Sequence, residues 1–139
     1  IATVGEKILI QDQQQPTRTE NFLSLPGGRC EWGEDPLACG KREFLEETGH
    51  ASDNWELFLK ISPMGRMAWM IYTFIAKDSR RVSEPHLDAG EKIENRLITF
   101  EEFLKMDEAP RFRSLAPTLV RARYDAAFSA DLHRRIFGK

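Results

Sequence analysis

The sequence predicts an α/β domain in which a mixed sheet is sandwiched between helices. Short alternating or continuous apolar runs recur at Val4–Gln11, Phe22–Leu25, Trp55–Ile61, Met67–Ala76 and Ile93–Phe100, the periodicity of strands. Three stretches interleaved with them read as helices: Asp35–Thr48, Glu101–Met106 and a long one from Leu115 onward. With 139 residues, 41% hydrophobic and 30% charged, the chain suits one core, and a single domain over residues 1–139 is expected.

Taken in order, Val4–Gln11 is a strand bounded by Gly5 and the polar run from Asp12. Phe22–Leu25 stops at the turn Pro26-Gly27-Gly28, and Arg29–Trp32 is a candidate second short strand. Asp35-Pro36 starts a helix, with Asp as N-cap and Pro at the first position, where its missing N–H costs nothing. That helix runs to Thr48 and ends at Gly49, with Leu37, Ala38, Phe44 and Leu45 as the expected buried face. Gly40 in its interior costs about 1 kcal/mol against Ala and implies close packing. Met67–Ala76 reads as a buried central strand. Lys77–Lys92 is a long polar loop, of the kind that often carries function. Thr99 caps the short second helix, and the last helix breaks near Ser129.

Several classes are excluded or disfavoured. A net charge of −2 does not suit a polyanion partner such as nucleic acid. No apolar run reaches membrane-spanning length. Cys30 and Cys39 are expected as free thiols in a reducing cytoplasm, and His50, His86 and His133 make no zinc spacing with them. The chain opens on Ile1 rather than Met, so a preceding strand or dimerising segment is kept open, and a homodimer with it.

The informative stretch is Gly28–His50, which holds five glutamates and four glycines in 23 residues. Glu43, Glu46 and Glu47 stand at i, i+3 and i+4, so their carboxylates emerge over one helical turn. Such like charges repel unless a hard divalent cation lies among them; Mg2+ takes oxygen ligands and shares them with substrate phosphates. Arg42, four residues before Glu46, can brace it. The full pattern is G-x5-E-x7-R-E-hydrophobic-x-E-E-x-G, carried by Gly28, Glu34, Arg42, Glu43, Phe44, Glu46, Glu47 and Gly49.

That pattern resembles the signature box of the Nudix hydrolases, except that His50 stands where the family usually has an aliphatic residue. The resemblance implies a Nudix-type α/β/α sandwich and Mg2+- or Mn2+-dependent hydrolysis of a nucleoside diphosphate linked to another moiety. By the same resemblance Glu43, Glu46, Glu47 and the Gly27 carbonyl match metal-ligand positions. Arg42 matches the residue that orients the glutamates, and Glu34 matches a supporting position.

Outside the box the segment Leu87–Glu94 resembles the acidic loop of ADP-ribose pyrophosphatases. Glu91 is the leading candidate for general base or an extra metal ligand, with Glu94 and Glu84 behind it. Pro63 resembles a marker proline of that branch, and Gln11–Pro16 its glutamine-rich turn. The resemblance implies ADP-ribose as substrate; because the branch's arginine in that turn and its glutamate after the later Pro–Gly turn are missing, and LPGG replaces LPAG, the expectation extends to a related nucleotide sugar. Trp32 and Arg66 are the candidate substrate contacts, whereas Trp69 and Tyr72 are expected in the core. The competing readings are a non-catalytic nucleotide sensor and an RNA-cap or NTP pyrophosphohydrolase. The cap reading rests on seven Lys/Arg between Pro110 and Lys139; a solvated helix face explains them as well.

Overall fold

A computed structural model describes residues 1–14, 19–62 and 69–138. The strands are β1 (Ala2–Val4), β2 (Lys7–Gln14), β3 (Phe22–Ser24), β4 (His50–Ala51), β5 (Asn54–Ile61), β6 (Ile71–Lys77), β7 (Arg80–Arg81) and β8 (Lys92–Ile98). The helices are α1 (Pro36–Thr48), α2 (Phe100–Phe103), α3 (Ala116–Tyr124) and α4 (Ala126–Phe137), with 3-10 turns at Met106–Glu108 and Pro110–Phe112.

Strand β2 is the axis of the sheet. β8 runs antiparallel along one edge of it from Ile8 to Gln14. The other edge is shared end to end by β1, at Lys7–Leu9, and β3, at Gln11–Gln13. β1 then pairs with β6 in parallel and β6 with β5 antiparallel, so the sheet is mixed. β4 and β7 make a separate two-stranded ribbon.

Alternation along β2 assigns the two faces. Ile8 and Ile10 join Ile75, Ile98, Phe103, Phe112, Leu115, Leu119, Leu132 and Ile136 in the larger core, beneath α2, α3 and α4. Leu9 points the other way, into a smaller cluster with Ala2, Ala76 and Phe44 of α1. One face therefore carries most of the apolar burial, and the other carries α1.

Several expectations need correction. Val4–Gln11 is not one strand, because Gly5 at φ 58° turns the chain into a hairpin between β1 and β2. Arg29–Trp32 forms no strand; it lies in the loop between β3 and α1. Of the expected buried face of α1 only Phe44 is buried, joined by Cys39, Glu47 and Thr48. Gly40 faces Phe74 at ordinary contact distance, 3.5 Å from where a Cβ would stand, so the close packing expected there is mild. β6 starts at Ile71, leaving Trp69 half exposed outside it. The long C-terminal helix breaks at Asp125 rather than near Ser129. Asp125 adopts an extended φ of −122°, ends α3 through its N–H to Arg121 O and caps α4 by accepting the Phe128 N–H. Pro16, Pro63 and Arg66 lie outside the described residues.

Candidate active site

The box folds as a loop, helix and loop because its ends are capped as the residues dictate. The Asp35 carboxylate accepts the Leu37 and Ala38 N–H groups, and Gly49 closes the helix at φ 68° with its N–H on Leu45 O. The segment Val82–His86 is then tied to that closure. Val82 and Ser83 donate to Gly49 O, and His86 donates to Glu46 O at 2.7 Å. These bonds bring the long loop, and Glu91 with it, to the end of α1 that carries the glutamates.

Arg42 holds three carboxylates at once. Its Nε and Nη2 grip Glu34 bidentately at 3.0 Å each, while Nη1 donates to Glu43 at 2.8 Å and Glu46 at 3.1 Å. This guanidinium, helped by the Glu31 N–H, holds the Glu34 carboxyl down to about 2. The same bonds, Glu34's foremost, raise the proton affinity of Arg42 further. Glu34 thus anchors the brace, as the sequence implied, and Arg42 braces Glu43 as well as Glu46.

Glu47 sits in a different environment, with only 9% of its surface exposed. Its carboxylate accepts the Gly27 N–H at 2.8 Å. Burial pushes its pKa up to about 7; the Gly27 N–H and the Gln11 side chain oppose that, and the charges of Glu43 and Glu91 add to it. Glu91 is therefore electrically part of the cluster. Gly28 is packed so tightly that a Cβ there would stand 2.3 Å from the Glu43 carboxylate. A buried acid among other acids, with a glycine backbone drawn up to them, is a donor set that fits a hard divalent cation. Glu43, Glu46 and Glu47 are its side-chain candidates, and Gly27 stands in contact with Glu47.

The remaining candidates divide. Glu94 is in register with Asp12 on β2, one residue from the Gln11–Asn95 pair, and so lies on the opposite sheet face from α1. Glu84 is paired with Arg81 at 2.6 Å. Trp32 is wholly exposed on the box loop. Tyr72 is half-buried and stacks on Phe74, whereas Trp69, expected in the core, is 50% exposed. His50 packs its ring beside Phe44, behind the loop, and bonds Thr48 O at 2.9 Å.

Cys30 and Cys39 are free thiols, and with Glu34 they place three donor atoms within 4.8 Å of one another. Both Glu34 oxygens are taken by Arg42, whose guanidinium stands 4.0 Å from Cys39 Sγ. A cation there would face that positive charge. The basic C-terminal residues are largely engaged: Arg123 forks onto Asp107 at 2.7 and 2.8 Å, Arg121 pairs with Asp125, Arg134 with Asp131 and Arg135 with Glu56. A groove lined by Leu104, Tyr124 and His133 among others opens beside α2–α4, on the sheet face away from the box.

Sequence reasoning missed Gln11, Gln13 and Asn95, which lie beneath Glu47. Gln11 and Gln13 continue the face of Leu9, where alternation calls for apolar residues; that break in pattern was the available signal.

An α/β/α sandwich with a braced glutamate cluster on a loop–helix–loop defines the Nudix hydrolase class. The chain belongs to the Nudix family, since the NUDIX domain model matches residues 1–119, and it is by class a Nudix pyrophosphohydrolase. Members of the family generally need divalent metal ions and act on small nucleotide substrates. A methanol dehydrogenase activator of Bacillus methanolicus is 28% identical over 128 residues, covering 89% of this chain and 68% of the relative. An ADP-ribose pyrophosphatase of Bacillus subtilis (strain 168) is 26% identical over 107 residues. That match takes in 76% of this chain, which spans 57% of the relative's length. Among solved structures, a MutT protein of Bacillus halodurans is 30% identical at TM-score 0.53, covering 76% of this chain and 68% of that one. An ADP compounds hydrolase matches in fold at TM-score 0.69 and 20% identity, covering 91% of this chain and 71% of the other.

Proposed function

We propose that the chain hydrolyses the diphosphate linkage of a nucleoside diphosphate derivative, ADP-ribose or a related nucleotide sugar. The reading is carried by one observation: Glu47 is buried within the influence of Glu43 and Glu91 while Arg42 holds Glu43 and Glu46 beside it. Glu43, Glu46, Glu47 and the Gly27 carbonyl would hold Mg2+ or Mn2+. When bound, the metal neutralises diphosphate charge and lowers the pKa of bound water. Arg42 fixes two of the ligands in place, and the Gly27 N–H fixes the third. Glu91 accepts the proton of the attacking water. Trp32 and Arg66 contact the substrate. ADP-ribose is preferred because a relative of that named activity aligns over three quarters of the chain.

A cytoplasmic location belongs to the same reading, supported by the two free thiols, as does a homodimer, which sedimentation would test. Nucleic acid is not a partner in this reading, because the arginines of the C-terminal segment are largely spent on internal ion pairs.

The test is a panel of ADP-ribose, nucleotide sugars, NADH, dinucleoside polyphosphates and NTPs, each with Mg2+ and with Mn2+. Release of a monophosphate from ADP-ribose or a nucleotide sugar is expected, and Glu47→Gln should abolish it. Turnover of NTPs alone would move the substrate to the triphosphates. Silence across the panel would leave a nucleotide-binding sensor.

A further inference from the structure

Gln11 is a fully buried amide, 0% exposed, on a strand face that is otherwise apolar toward β1. Burying an amide is costly unless its donors and acceptor are met, and here they are met in one consistent direction. Ser24 Oγ accepts from Gln13 Nε2 at 2.9 Å, and the same nitrogen donates to Gln11 Oε1 at 2.7 Å. Gln11 Nε2 in turn reaches Asn95 Oδ1 at 3.4 Å, and Asn95 Nδ2 donates to the backbone carbonyl of Glu47 at 3.1 Å. The Gln11 amide also favours the charged form of Glu47, opposing the effect of burial.

Three strands (β2, β3 and β8) thus meet in one amide ladder whose far end is a single residue of α1. With its Oε1 committed to Gln13, the Gln11 amide presents N–H to Asn95 Oδ1, which leaves the Asn95 Nδ2 facing the Glu47 carbonyl. Glu47 is thus held from two sides, its carboxylate by the Gly27 N–H from the loop and its backbone carbonyl by Asn95 from the sheet.

We infer that Gln11 is a positioning residue for catalysis, seating Glu47 for the divalent cation through Asn95, with Gln13 and Ser24 fixing the orientation of its amide. The inference rests on the metal reading of Glu47 above. It assigns the buried glutamines a role in metal affinity and turnover, distinct from packing.

The test is Gln11→Met, which keeps volume and removes the amide. Mn2+ binding to substrate-free protein is read by electron paramagnetic resonance, and kcat and KM are read separately. Mn2+ affinity is expected to fall tenfold or more and kcat at subsaturating metal to fall with it, while KM for the nucleotide stays within twofold. In a Glu47→Gln background the same substitution should cost no further metal affinity, because its action passes through that carboxylate. Loss of thermal stability with Mn2+ affinity unchanged, or equal losses in both backgrounds, would overturn the assignment. If Glu47→Gln itself leaves Mn2+ binding intact, the metal reading of Glu47 fails; if Glu47→Gln weakens binding and Gln11→Met does not, only the role of Gln11 fails. Should Gln11→Met not fold, Gln13→Met removes the donor one step back and should give a smaller loss of the same kind; its absence overturns the ladder.

Discussion

Two glutamates thirteen positions apart show how far surroundings separate identical side chains. Glu34, forked by Arg42, holds its charge down to about pH 2, whereas buried Glu47 takes up a proton near 7. The first serves geometry and the second is free to exchange a proton for a cation. Gly28 decides whether Glu43 can join them. Its φ lies outside the left-handed region, so alanine is conformationally acceptable there, but the new Cβ meets the Glu43 carboxylate at 2.3 Å. The carboxylate is the end of a flexible side chain and will swing away. Gly28→Ala should therefore weaken Mn2+ binding about tenfold, roughly 1.4 kcal/mol, with the thermal midpoint within a few degrees of wild type; calorimetric titration and a melting curve check both. At Glu91, replacement by Gln should lower kcat by about 10²–10⁴, the usual contribution of a general base, while Mn2+ affinity is retained. Equal turnover in the variant would return the base to another group. The convergence of Glu34, Glu43 and Glu46 on Arg42 was legible in the sequence because the box residues are near in chain and fixed by helical period. Gln11 was not, because its partners Gln13, Ser24, Asn95 and Glu47 converge only through the pairing of separate strands.

Among the elements, α1 was read accurately at its ends and poorly along its face. Capping is local chemistry, so Asp35, Pro36 and Gly49 announce the boundaries. Which side is buried depends on what lies beneath, and the sheet buries Cys39 and Thr48 in place of Leu37 and Ala38. Gly49 has a second duty invisible in sequence. A Cβ there would stand 2.2 Å from the backbone oxygen of Ser83, in the segment that hangs from Gly49 O. Gly49→Ala should cost about 1–3 kcal/mol for the left-handed backbone alone, and more as the loop shifts. Because that loop leads to Glu91, kcat should fall too. Urea unfolding beside steady-state kinetics separates the two, and a stability loss with kcat intact would show that the loop does not set Glu91. The break between α3 and α4 was misplaced by four residues for a related reason. Asp125 is itself a cap signal, but helical periodicity on both sides masks it, and only its extended backbone exposes the joint.

Across the whole molecule, the sheet keeps its large apolar core on the face of α2–α4 and the Glu43, Glu46 and Glu47 cluster on the face of α1, so stability and the proposed chemistry are supplied from opposite sides. The acids then set a pH-dependent cost on the metal-free fold. Glu47 rises from an ordinary 4.5 to about 7 on folding, chiefly by burial. Between those values the folded chain binds more protons than the unfolded one. Its contribution is therefore fully favourable below 4.5 and is lost as pH rises through about 7. Comparing wild type with Glu47→Gln isolates this contribution from those of the other titrating groups. In EDTA at pH 8 the variant should be more stable by up to about 3 kcal/mol, and the gain should vanish toward pH 4.5. Adding Mg2+ or Mn2+ at a hundred times its dissociation constant should then stabilise wild type by about 2.7 kcal/mol and the variant by less. Removing the glutamate thus trades function for stability in the absence of metal. Equal stabilities at pH 8 in EDTA would mean that Glu47 is not strained by burial, and the account of why it must hold a cation would fall with that result.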